Sequence, residues 1–153
     1  MTVKETAENI KSRMEALTEV IGQDGEGNDI IQPIFDKVII GDFNSDEMPP
    51  GTVMSIRAVM EEDSLDFAGP LPPESPFTVP WHLSLYVSGQ VSEATLRIYE
   101  LVPVIKTSLN NDLSFNGSCT EGYWDKPKVI YDEDMRTSNS MVSGARFRIR
   151  TNY

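Results

Sequence analysis

At 153 residues, with 39% hydrophobic and 24% charged side chains, the chain has the size of one domain burying about two-thirds of its surface, and it is too apolar for disorder. Its 13 Lys and Arg stand against 24 Asp and Glu, a net charge of −11 that disfavours free nucleic acid as a partner. No apolar run approaches the ~20 residues that span a bilayer, and the first 17 residues lack the continuous apolar stretch of a secretory signal. The single cysteine, Cys119, excludes a disulfide within the chain.

Val3, Ala7, Ile10, Met14, Leu17 and Ile21 recur at alternating spacings of four and three, which predicts an amphipathic helix over about 3–20. Thr2 and Glu5 form a capping box at its start. Residues 22–33 are polar and Gly-rich and read as a connection. Their composition is that of a calcium loop, but the spacing of ligands is not. A strand is expected at 35–42, then a Pro/Gly turn, then a strand over 52–62 whose Met54, Ile56, Ala58 and Met60 face the core. These two strands read as an antiparallel pair. Residues 63–80 hold five of the ten prolines and read as a long extended loop, with Leu65, Phe67, Leu71 and Phe77 as exposed apolar anchors.

The strand 81–89 places Trp81, Leu83, Leu85 and Val87 on one face and His82, Ser84, Tyr86 and Ser88 on the other. A second helix follows over 92–110, capped by Ser92, and Pro103 should kink or split it. Strands are expected at 116–124, 128–134 and 143–151. In the last, Ala145, Phe147 and Ile149 oppose Arg146, Arg148 and Arg150, a row of arginines on the wet face. The fold class is therefore α+β, a single domain over 1–153 with a mixed, mostly antiparallel sheet packed against the two helices.

Charge is unevenly spread: residues 1–96 hold 5 basic and 17 acidic side chains, residues 97–153 hold 8 and 7. Such acidity serves solubility first, and acidic and basic zones on one subunit also suit contacts between subunits. His82 is the only histidine, and with Cys119 it could form a Cys–His pair only if the fold brought them together. The acidic run Asp132, Glu133, Asp134 reads as a solvated strand end rather than a cation site. No glycine-rich phosphate loop, nucleophile elbow or paired-cysteine motif occurs. The expectation is a non-enzyme with no cofactor and no metal.

The order of elements, with the opening helix ETAENIKSRMEAL, the strand into a turn VIIGD, the helix VSEATLRIYELVPVIKTSL and the closing strand ARFRIR, resembles the tail terminator proteins of tailed viruses, the family of the lambda tail terminator. The resemblance implies a virion protein of the tail and neck, assembled in the host cytoplasm. It implies a homo-oligomeric ring, usually a hexamer, that caps the head-proximal end of the tail tube and ends its growth. Its partners would be the major tail tube protein and a neck or head-completion protein, with genome DNA passing through the lumen without sequence-specific binding and no membrane involved. On this reading Arg146, Arg148 and Arg150 are candidates for a subunit contact or for the lumen wall. Leu65, Phe67, Leu71 and Phe77 are candidates for the tube contact. A head-side stopper protein and a small non-viral binding module are the alternatives.

Overall fold

The computed structural model describes residues 1–43, 50–59, 77–132 and 142–153. Helix α1 (Val3–Glu15) begins as its capping box requires, with the Thr2 hydroxyl accepting from the Glu5 amide at 3.1 Å. Thr6, Ala7, Ile10 and Met14 form its buried stripe. It ends at Glu15 rather than near residue 20. Thr18, Val20 and Ile21 are β-branched and lose rotamer freedom in a helix, and they enter strand β1 (Thr18–Gln23) instead. β1 pairs antiparallel with β2 (Asp29–Pro33). The segment expected as a connection is thus the turn and second arm of a hairpin. Asp24 Oδ1 closes the turn by accepting from the amides of Glu26 and Asn28, both at 2.9 Å.

Five strands make the main sheet: β3 (Lys37–Ile40), β4 (Thr52–Ala58), β5 (Thr78–Ser88), β6 (Glu121–Asp132) and β7 (Val142–Asn152). Their order across it is β3-β4-β5-β7-β6. With α1 and α2 (Val91–Asn111), the fold is α+β with a mixed sheet, as the sequence patterning indicates. The expected antiparallel pairing of β3 with β4 is incorrect; the two are parallel. Parallel neighbours need a crossover in place of a hairpin, and the chain begins one directly after β3. The Gly41 carbonyl accepts from Ser55 Oγ at 2.6 Å, Asp42 pairs with Arg57 at 2.6 Å, and the Phe43 ring meets Tyr86 edge-on at 6.3 Å. Residues 41–43 therefore step over β4 towards β5. At the strand starts, Asp36 donates its amide to the Thr52 carbonyl while its carboxylate accepts from the Thr52 amide, each at 2.8 Å.

The loop expected to reach residue 80 gives Thr78, Val79 and Pro80 to β5. Pro80 lies just past the end of β4, and its carbonyl accepts from the Val59 amide at 2.7 Å. A missing N–H is tolerated at such a ladder end. Met60, Leu65, Phe67 and Leu71 lie outside the described residues. Phe77 does not behave as an exposed anchor: it is half-buried and stacked on Tyr153, with ring centroids 5.0 Å apart.

Helix α2 stays whole through Pro103, which sits on its exposed side, where the carbonyl left without a donor faces water. Its N-cap is Gln90, not Ser92. The two strands expected at 116–124 and 128–134 are one strand, β6, interrupted by a register shift between Trp124 and Val129. Residues ahead of it cannot extend it, because Phe115 and Asn116 hold left-handed backbone angles of φ 50° and 60°. Asp112 organises that loop by accepting from the Ser114 and Asn116 amides at 2.9 and 2.8 Å.

Both helices cover one face of the sheet. Ile10 and Met14 of α1 and Ile98, Leu101, Ile105 and Leu109 of α2 join Met54, Ile56, Trp81, Leu83, Leu85, Ala145, Phe147 and Ile149 in one core cluster. A line of hydroxyls runs through it. The Trp81 indole donates to Thr151 Oγ1 at 2.8 Å, Thr151 donates to Tyr153 Oη at 3.1 Å, and Tyr153 donates to Thr6 Oγ1 at 2.7 Å. Thr6 in turn lies 3.0 Å from Ser118 Oγ, so the line ties β5 and β7 to α1 and the loop before β6.

Candidate functional site

The face of the sheet turned away from the helices carries four of the six arginines among the described residues. Alternation along β7 buries Ala145, Phe147 and Ile149 completely or nearly so and turns Arg146, Arg148 and Arg150 to the open face. Pairing sets their neighbours: Arg146 lies between Ser84 and Ile130, Arg148 beside His82, and Arg150 between Pro80 and Tyr123. On the far side of His82, β4 contributes Arg57. The face is thus crossed by a line Arg57–His82–Arg148, with Arg146 and Arg150 above and below it along β7.

The break in β6 explains how two of these arginines are held. Between Trp124 and Val129 the ladder lapses, and Asp125 Oδ2 reaches both Arg148 and Arg150 at 3.2 Å. Arg148 also donates to the carbonyls of Lys126 and Pro127 at 3.2 and 3.4 Å. Asp125 itself is held below the usual carboxylate range by the Lys126 amide and the two guanidinium groups, against the opposing effect of its burial. Arg57 pairs with Asp42. Arg146 differs from the rest: it donates to Ser84 Oγ at 3.4 Å and has no carboxylate partner among the described residues. Among the described residues, four guanidinium groups here meet the carboxylates of Asp42 and Asp125, with Glu121 at the edge of the same face, which leaves the patch net positive on a strongly acidic protein. Tyr123 and Ile130 add exposed apolar surface between the charges.

His82 sits in the middle of this patch. The sequence suggests a wet or lightly bonded histidine, whereas its Nδ1 is buried with no hydrogen-bond partner among the described residues. Burial first, then the positive fields of Arg146, Arg57 and Arg148, push its pKa down to about 4, with Asp125 opposing weakly. The imidazole is therefore neutral in the fold at pH 5, where an unfolded chain would carry it protonated. A group with a depressed pKa that is neutral in the native state favours the unfolded form as protons bind, so its contribution is complete above about 6.5 and is lost as pH falls towards 4. The expected result is a steeper drop in the urea midpoint between pH 7 and pH 5 for the natural chain than for His82→Gln. Equal drops in the two would show that His82 titrates freely.

Other sequence candidates are placed apart from this patch. Cys119 lies in the core cluster, on the helix side of the sheet, and its thiol donates to the Ser114 carbonyl at 3.3 Å. Burial raises its pKa, with the Asp112 charge adding to the effect. It does not meet His82, which is on the opposite face. Glu133 and Asp134 of the acidic run lie outside the described residues.

A second surface was not anticipated. The β1–β2 hairpin stands off the domain with Val20 (58%), Ile21 (54%), Ile30 (42%) and Ile31 (61%) exposed. Residues 18–33 carry Glu19, Asp24, Glu26 and Asp29 and no Lys or Arg. The hairpin is anchored at its base, where Glu19 pairs with Arg97 of α2 and the Ile34 amide donates to the Leu17 carbonyl at 2.9 Å. The sequence signals were present in the β-branched Thr18–Ile21 run and the Gly-rich turn, but Leu17 and Ile21 also fit the helical stripe. Among the described residues, no helix is long and apolar enough to cross a membrane. A scan of protein-family models finds none that matches this chain, and a search of curated proteins finds no match either.

Proposed function

We propose that the chain is the subunit of a tail terminator ring, a virion protein at the neck that caps the head-proximal end of a viral tail tube. The supporting observation is the basic, partly apolar open face of the sheet on an otherwise acidic α+β domain. Ring closure requires heterologous contacts, in which one patch of a subunit meets a different patch of the next. A positive patch on a negative protein supplies one such half and disfavours contact between two identical faces. The order of elements, which resembles that family, supports the same reading.

Within it, the arginine row serves a subunit contact rather than the lumen wall. Arg148 and Arg150 share the Asp125 carboxylate, which removes much of the charge they would offer to phosphate. A planar guanidinium half-satisfied by its own chain still donates its remaining N–H groups to a protein partner.

The test is charge reversal. Arg146→Glu/Arg148→Glu/Arg150→Glu is expected to remove ring assembly. Because two of these arginines also brace Asp125, Arg146→Glu alone is the companion variant. It breaks no ion pair among the described residues and should keep the natural circular dichroism spectrum while weakening assembly. Assembly unchanged in both variants would contradict the contact.

A further inference from the structure

We infer that the β1–β2 hairpin of one copy docks on the arginine-bearing open sheet face of a second copy. The inference deepens the ring reading and rests on it.

The hairpin's chemistry demands a partner. A two-stranded ribbon is marginal in water without a surface to pack on, and this one exposes Val20, Ile21, Ile30 and Ile31 together. Singly exposed apolar residues are ordinary, but Val20 and Ile31 are cross-strand partners on one face of this small ribbon, with Ile30 on the opposite face, and an exposed apolar pair of this kind on a ribbon edge suits an interaction site. The ribbon is also acidic throughout, with no cation of its own. A basic and partly apolar surface is its complement. The open sheet face supplies one, with Arg57, Arg146, Arg148 and Arg150 interleaved with Tyr123 and Ile130.

The hairpin cannot serve its own chain in this way. Its base is fixed to the helix layer through Glu19 and Arg97 and through the Leu17–Ile34 backbone bond. The arginines lie on the other side of the sheet. The contact therefore joins two molecules, and because the two patches differ, it is head-to-tail. Such a contact closes into a ring when the rotation per subunit permits and otherwise grows as a filament. Charge steers the encounter and sets the pairing, while the paired Val20 and Ile31 face supplies the burial.

The test uses two variants of the full chain. Val20→Asp/Ile31→Asp disables the hairpin at positions that are already exposed. Arg57→Glu/Arg146→Glu disables the sheet face. Each alone is expected to stay folded by circular dichroism and to remain monomeric by native mass at concentrations where the natural chain assembles. Mixed together, they retain one intact hairpin and one intact sheet face. They should then form a heterodimer of twice the monomer mass that grows no further. A hairpin variant that assembles as the natural chain does would overturn the contact while leaving assembly standing. Larger species in the mixture would also overturn it, since they require a second interface. A natural chain that stays monomeric at every concentration would overturn both this contact and the ring.

Discussion

Trp81→Ala is expected to lower the free energy of unfolding by about 3–5 kcal/mol, the range for truncating a large buried aromatic. Trp81 is 1% exposed in the central strand β5, between β4 and β7. Its loss opens a cavity where both helices meet the sheet, and the surrounding side chains are held by their own strands and cannot collapse fully into it. It also removes the first donor in the line through Thr151, Tyr153 and Thr6. Since domains of this size are stable by about 5–15 kcal/mol, the variant should lie near its folding threshold. Trp81→Phe separates the two contributions: it keeps most of the volume and loses the indole donor, for an expected cost of about 1–2 kcal/mol. Urea unfolding followed by circular dichroism reads both. A change below about 1 kcal/mol for the alanine variant would contradict the placement of this side chain in the core.

Gly122→Ala should cost about 3 kcal/mol through overpacking. A Cβ on Gly122 would sit 1.9 Å from the Leu113 carbonyl oxygen and 2.8 Å from its carbon. Those are backbone atoms in the turn that follows α2, so no rotamer change relieves the clash. Either β6 parts from β7 near Thr151 or the 112–120 loop moves off the end of the sheet. Gly25→Ala is the matched control. It meets nothing within 4 Å and has no left-handed backbone requirement, so its effect should be near zero. Thermal midpoints of the two variants make the comparison. Equal midpoints would show that the loop does not press on β6.

The legible parts of this fold are those where one period holds over a whole element. β5 and β7 alternate strictly, so Trp81, Leu83 and Leu85, and likewise Ala145, Phe147 and Ile149, are assigned to the core without knowledge of their partners. The Thr2–Glu5 cap and the Ala7–Ile10–Met14 stripe place α1 in the same way. The failures occur where two signals share the same residues. Leu17 and Ile21 continue a helical spacing across a run whose β-branched character and glycine turn make a hairpin. Side-chain period carries no information about strand direction, so β3 and β4 look alike whether parallel or antiparallel. The deciding contacts of Asp36 with Thr52 and of Gly41 with Ser55 are tertiary.

The arginine row was visible as an alternation, but its setting was not. Nothing in the local sequence indicates that Asp125 would serve both Arg148 and Arg150, because that depends on the register shift in β6. Nor does it indicate that His82 would lie between Arg57 and Arg148, which requires the order β4-β5-β7 across the sheet. In the sequence the acidic hairpin shows only as part of a charge asymmetry. Its apolar residues acquire meaning once they are seen to be exposed.

The most direct test of assembly is native mass together with negative-stain images of the purified protein, alone and mixed with tail tubes. Rings in solution, or caps at one end of each tube, are the expected result. A protein that stays monomeric at high concentration and leaves both tube ends bare would contradict it.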